Sequence, residues 1–236
     1  ERSVGLQARS TPAVRHVRDL VQGGRIGEVL GATVMGSGGR WGPTVDRAGR
    51  YLLDAANGAT LLTIPFGHTL DGVSSALGEL DRITATTATR RHEVTLVETG
   101  ERIPMTAEDQ IAVTGVLAGG AVASLHYRGG QSAGTGFRWE IHGTEGTVVV
   151  LGDSGHLQYG RVEVLLAEGD GPLATSEPPA AYAPADVEFG GPAYAVAQAY
   201  HALAEDLRDG GHRVPTFTDA LHRHRTLDRI RTAAGD

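Results

Sequence analysis

Between Arg82 and about Leu166 apolar and polar residues alternate with a period of two, and this stretch sets the fold class. A helix repeats every ~3.6 residues, so such a pattern can bury one face only as strands. The segment IAVTGVLAGGAVASLHYRG reads as a hairpin turning at Gly119-Gly120. Ala121, Ala123, Leu125 and Tyr127 fall on one face, and Val122, Ser124, His126 and Arg128 on the other. FRWEIHGTEGTVVVLG repeats the form with a turn at Gly143 to Gly146, and Phe137, Trp139 and Ile141 alternate with Arg138, Glu140 and His142. One apolar and one polar face is the signature of antiparallel strands. The 34 glycines among 236 residues supply the turns.

Helices flank this region. Val14, Val17, Leu20 and Val21 make a helical stripe from Pro12 to about Gln22, with Thr11 as cap, Pro12 at the first helical position and Gly23-Gly24 as the stop. Ser3 to Gln7 reads as a short strand with no opening element before it, which suggests the back half of something longer. Val29 to Gly36 reads as a strand, followed by the loop GSGGRWGPTVDRAGRY. NGATLLTIPFGHTLDGVSSALG has helical length but contains Pro65, so it either kinks there or restarts with Thr63 as a cap. Ala174 to Pro192 reads as a long loop. Helices over about Ala193–Arg208 and Thr218–Ala234, the latter capped by Thr216 or Thr218, close the chain. The order gives an α+β fold: an open, mostly antiparallel sheet with helices packed on one face.

Composition removes several chemistries. There is no Cys, hence no disulfide, thiolate nucleophile or Cys-ligated zinc, and no Lys, hence no Schiff base or P-loop lysine. A net charge of −7 argues against a basic stripe for direct nucleic-acid contact. No apolar run is long enough for a membrane span and no signal segment opens the chain, so a soluble, cytoplasmic protein is expected. The glycines at 36, 38 and 39 do not complete a GxGxxG motif, because Trp41 stands where the last glycine belongs. No zinc-protease or GxSxG motif occurs, and no metal site is expected.

What remains is a small set of candidates. His68 has Asp71 one turn on, a spacing that can orient an imidazole and poise it near neutral pH. Arg40, Trp41 and Tyr51 combine stacking rings with a guanidinium, as a sugar-binding wall does. His222 and His224, two apart on a helix, face different ways and make a poor metal pair; with Arg223 and Arg225 they read as a solvated basic face. The polar sheet face is either solvated or a subunit interface, with the interface favoured.

Five blocks in order carry a resemblance: VGLQARSTPAVRHVRDLVQGGRIGEV, NGATLLTIPFGHTLD, TAEDQIAVTGVLAGGAVASLHYRGG, WEIHGTEGTVVV and PTFTDALHRHRTLDRI. Together they resemble the C-terminal domain of the Gfo/Idh/MocA oxidoreductases, nearest to the branch of the yeast galactose-pathway repressor. The resemblance implies that residues 1–236 form one substrate and oligomerisation domain, accompanied in the family by an N-terminal Rossmann domain that binds NAD or NADP. It implies a sugar, cyclitol or polyol substrate and a homo-oligomer through the sheet face. His68 matches the active-site His at the end of the family's DxxxH motif. The acid of that motif is replaced by Ile64, or by Thr63 if the alignment slips by one, and the family's EKP lysine lies in the other domain. Arg40 and Trp41 match the loop near the substrate, and Asn57 and Gly58 the turn that opens the helix; with Thr63 and Asp71 these complete the expected ligand-binding set. The missing acid leaves a second possibility open, a non-catalytic regulator that senses a sugar or nucleotide.

Overall fold

The period-two stretch becomes strands because its apolar half has helices to pack against. The computed structural model describes residues 3–134, 136–158, 161–183 and 187–235. The main sheet comprises β1 (Val29–Gly38), β3 (Leu80–Ala88), β6 (Gln110–Leu117), β7 (Val122–Gly129), β8 (Phe137–Gly143), β9 (Gly146–Gly152), β10 (Val162–Glu168) and β11 (Ala174–Thr175). Their order is β11-β10-β9-β8-β1-β7-β6-β3. Every pairing is antiparallel except β1 with β7, which run parallel from Gly31↔Val122 to Gly38↔Gly129. A small sheet joins β2 (Thr44–Val45), β4 (Glu93–Leu96) and β5 (Arg102–Pro104). The architecture is α+β, as the pattern predicts.

The inner face holds Val34, Leu125, Tyr127, Trp139, Ile141, Val150 and Val164, all buried. Each such side chain is worth about 1.5–3 kcal/mol when fully buried. Four α-helices among the described residues complete the layer: α1 (Pro12–Gln22), α2 (Gly67–Leu77), α3 (Pro192–Asp209) and α4 (Phe217–Ala234). On the other face Arg138, Glu140 and His142 form one ion-paired row, and Val122 is 62% exposed.

Several local expectations need correction. Ser3–Gln7 is not a strand. Ser3 makes an isolated bridge to Thr216 and Val4 N–H donates to the Pro215 carbonyl, but Pro215 has no N–H to continue a ladder, and the chain turns into a 3-10 helix over Gln7–Ser10. Thr11 precedes α1 without capping it; its hydroxyl donates backwards to the Ala8 carbonyl. Thr63 does not cap a fresh helix at Pro65: its hydroxyl donates to the Gly58 carbonyl and accepts from Thr60 N–H at 2.9 Å, while Thr63 N–H donates to Thr60 Oγ1 at 3.4 Å, at the start of the segment. Thr216, not Thr218, caps α4, in a capping box with Asp219. Within the expected loop after Ala174 lie β11 and a 3-10 turn at Ala180–Tyr182; residues 184–186 are outside the described residues.

Candidate active site

α2 delivers His68, and the way it starts follows from Pro65. Proline lacks an N–H and its ring crowds the carbonyl four residues back. The chain widens into a π turn over Leu62–Phe66, in which Phe66 N–H reaches the Leu61 carbonyl at 3.2 Å. The Glu108 carboxylate accepts from Leu62 N–H at 2.8 Å and fixes the entry. Such widened turns are frequent at functional sites, and this one runs directly into His68.

The His68 ring is partly buried, and its Nδ1 is enclosed with no hydrogen-bond partner among the described residues. Burial pulls its pKa below the ordinary value, and the negative charge of Asp71 opposes that shift. Asp71 does not orient the ring. It is fully buried and takes a two-pronged ion pair from Arg9, with Nη2 at 2.5 Å and Nε at 2.8 Å, while Arg223 Nε lies 3.5 Å away. Arg223 is therefore not part of a solvated face: it is buried and reaches on to Glu79 at 2.9 Å, whereas its neighbours His222, His224 and Arg225 are exposed.

The remaining candidates divide. Arg40 is half-exposed and paired with Asp46 at 3.1 Å. Trp41 turns inward: it is 2% exposed, its indole N–H donates to the Leu52 carbonyl at 2.9 Å, and its φ of 58° lies in the left-handed region. That backbone lets the Trp41 carbonyl press on Gly129, where a Cβ would stand 2.3 Å from it. Trp41 thus packs in the core and offers no ring to a ligand. Tyr51 is exposed, and Asn57 donates to its carbonyl at 2.9 Å. Asn57 and Thr63 both serve their own turns.

Two residues that spacing could not find lie on segments joined to α2. Tyr127 is fully buried; its Oη lies 2.6 Å from Thr69 Oγ1 and donates to the Gly155 carbonyl at 3.1 Å. Thr69 follows His68 and Gly155 precedes His156, so one phenol ties the two histidine segments together. His156 is buried, and its pKa is lowered to about 4 by burial first, then by the nearby charges of His68 and Arg40. Ser37, Gly39, Gln131, Ser132, Asp153 and Ser154 line a polar hollow of about 140 Å³ at the same end of β1. The lining of that hollow does not include His68, His156 or Arg40; among these side chains, the partly buried imidazole of His68 is the one suited to accept a proton.

The chain matches known proteins over much of its length. A family model described as Gal80p, C-terminal domain (Gal80p_C-like) matches residues 12–152. The galactose/lactose metabolism regulatory protein GAL80 of Saccharomyces cerevisiae is 29% identical over 189 residues, covering 74% of this chain and 43% of its own length. Its counterpart from Kluyveromyces lactis is 29% identical over 164 residues, covering 65% of this chain and 36% of its own. The chain thus spans less than half of either curated relative. Among solved structures, a super-repressor mutant of Gal80p from Saccharomyces cerevisiae superposes with a TM-score of 0.88 at 22% identity, over 99% of this chain and 63% of that one. Levoglucosan dehydrogenase in complex with NADH and L-sorbose superposes at 0.78 and 22% identity, over 99% of this chain and 64% of that one. These two likenesses are of fold.

Proposed function

The chain belongs to the family of the Gal80p C-terminal domain, whose fold is shared with Gfo/Idh/MocA-type oxidoreductases, and from that premise we propose that it is the substrate-binding and oligomerisation domain of an NAD(P)-dependent oxidoreductase acting on a sugar, cyclitol or related polyol. The observation that carries this reading is the enclosed, unpartnered Nδ1 of His68 at the start of α2, a buried polar atom that a ligand hydroxyl would satisfy. Burial favours the neutral ring at pH 7, so His68 accepts the proton of a carbinol oxygen during oxidation and returns it during reduction.

The described residues of this chain do not fit the nucleotide. β1 is followed by the Trp41 turn and β2, not by a glycine-rich turn into a helix. The nicotinamide, NAD or NADP, is accordingly assigned to a dinucleotide-binding domain outside this chain, where it would accept or supply the hydride. No helix among the described residues is long and apolar enough to cross a membrane. We place the protein in the cytoplasm, with a small-molecule ligand, no direct nucleic-acid contact, and a second copy of itself against the sheet face.

A second reading, a non-catalytic regulator that senses a sugar or nucleotide, is favoured by one feature: Asp71 is occupied by Arg9 and Arg223, so that among the described residues no carboxylate is bonded to His68, and the resemblance puts Ile64, or Thr63, where the family has its acid. One experiment separates the two. Protein expressed together with its upstream coding region is titrated with NADH and NADPH and assayed against a panel of polyols. The enzyme reading predicts turnover that falls about 10²–10⁴-fold in His68→Ala with cofactor affinity kept. Cofactor binding without turnover on any polyol selects the regulator.

A further inference from the structure

A cavity of about 220 Å³ lies between the start of α1, the turn after β9 and the segment 177–183, and it shares no lining residue with the polar hollow at the end of β1. Its outer wall is fastened to α1. His16 Nε2 meets Ser176 Oγ at 2.9 Å, Tyr182 Oη donates to Asp19, and the Arg15 guanidinium lies 4.2 Å from the centre of the Tyr182 ring. These three residues of α1 hold the segment that carries Pro178 across the helix. Phe189 and Tyr194 close another side, set edge to face with ring centres 5.2 Å apart. On the inner side Leu157 packs against α2, where a Cβ on Gly72 would stand 3.2 Å from its Cδ2.

Two polar features interrupt these apolar walls. Helix α1 starts without a side-chain cap: Pro12 has no N–H, Thr11 donates its hydroxyl back to Ala8, and the first-turn N–H groups, that of Ala13 among them, have no partner within the helix. Gln158, which lines the cavity with Pro12 and Ala13, is 3% exposed, and its Oε1 has no hydrogen-bond partner among the described residues. One feature donates and the other accepts, and both have hydrogen bonds still to make.

The lining selects the ligand. Its charged residue is Glu177, and no Arg or His lines it among the described residues, so a carboxylate or phosphate would enter without a countercharge. A polyol would bring more hydroxyls than two features can satisfy, and each one left unpaired carries a cost. The volume lies below the ~300–1,000 Å³ of sites for larger ligands, which suits one ring system. A neutral, flat ring with a carbonyl beside an N–H meets all three conditions.

We propose that this cavity is a second small-molecule site, and that it takes a cyclic amide of the kind found in uracil and hypoxanthine. The ring carbonyl accepts from the uncapped first turn of α1, the adjoining N–H donates to Gln158 Oε1, and the ring face lies against Pro178 and Tyr194. The inference stands apart from the role of His68.

Free bases and nucleosides share this edge, so uracil, hypoxanthine and uridine are each titrated into the 15N-labelled 236-residue chain, with the backbone amide of Ala13 and the side-chain amide of Gln158 as readouts. At least one of the three is expected to shift both, with a Kd of about 1 mM or tighter. N,N′-dimethyluracil keeps the carbonyls and has no N–H, and it should bind at least about tenfold more weakly than uracil. Gln158→Met keeps the length of the side chain without the acceptor and should weaken uracil by a similar factor. Equal binding of the dimethylated ring, or full affinity in a natively folded Gln158→Met, overturns the proposal. So does silence at both amides for all three compounds at about ten times that concentration, or a response there to acetate or inositol in their place. Should Gln158→Met not fold, the comparison of uracil with its dimethylated form on the wild type decides.

Discussion

Asp71 is fully buried, and two guanidinium groups reach it, one from the 3-10 turn before α1 and one from α4. Removing the carboxylate leaves Arg9 with Asp219 and the buried Arg223 with Glu79 as their remaining acidic partners. Asp71→Asn is expected to cost about 3–5 kcal/mol, read as a fall in the urea midpoint; a change within error would mean that the pair contributes nothing. His156 gives the fold a pH dependence of known sign. Its folded pKa of about 4 lies below the unfolded value near 6.5, so the unfolded chain binds the extra proton between those limits. Stability is full above about pH 6.5 and is lost as pH falls towards 4, by up to about 3 kcal/mol from this ring. Urea titrations across that range should show a flatter pH profile in His156→Gln than in the wild type. The sequence singles out His68 through its resemblance to the end of a DxxxH motif. It does not single out His156, because that residue comes from a turn nearly ninety positions away that meets α2 through Tyr127 and Leu157. Trp41 was misplaced for a related reason: sequence shows that an aromatic residue follows Arg40, but not that a left-handed backbone turns it inward.

At the scale of elements, the strands followed the alternation and the hairpin glycines closely, because a period of two has one interpretation when one face is apolar. Helix α1 likewise runs over Pro12–Gln22, as its stripe dictates. The segment around Pro65 was harder. Sequence shows that the ladder must break there, but the π turn is one of several ways to break it, and the choice depends on Glu108 reaching Leu62 from elsewhere in the chain. The turn carrying His156 is the element on which the site depends. Gly155→Ala drives a methyl into Ser37 backbone atoms that cannot move without dislodging the end of β1. We expect a loss of about 1–3 kcal/mol together with changed ring resonances at both histidines. At the other end, Thr216→Ala removes the capping box of α4 and should cost about 1 kcal/mol in urea denaturation while leaving those resonances unchanged. The contrast separates damage to the site from damage to the scaffold.

For the whole molecule, the sheet divides two roles. Its inner face packs against the helices, and its outer face combines the Arg138–Glu140–His142 row with exposed Met35 and Val122. If that outer face meets a second copy, Val122→Glu together with Glu140→Arg should halve the mass measured by light scattering, and an unchanged mass would assign the contact to another surface. The central claim concerns the other end of the sheet, where the end of β1, the turn after β9 and α2, the helix that carries His68, are joined through Ser37, Gly155, Tyr127 and Thr69. It is tested most directly by adding cyclitols and sugars to the 15N-labelled chain at neutral pH and following the ring nitrogens. The account predicts that at least one polyol shifts Nδ1 of His68 as that atom gains its missing hydrogen bond, with a smaller response at His156. A polyol that binds, shifts resonances elsewhere and leaves both rings untouched would contradict it.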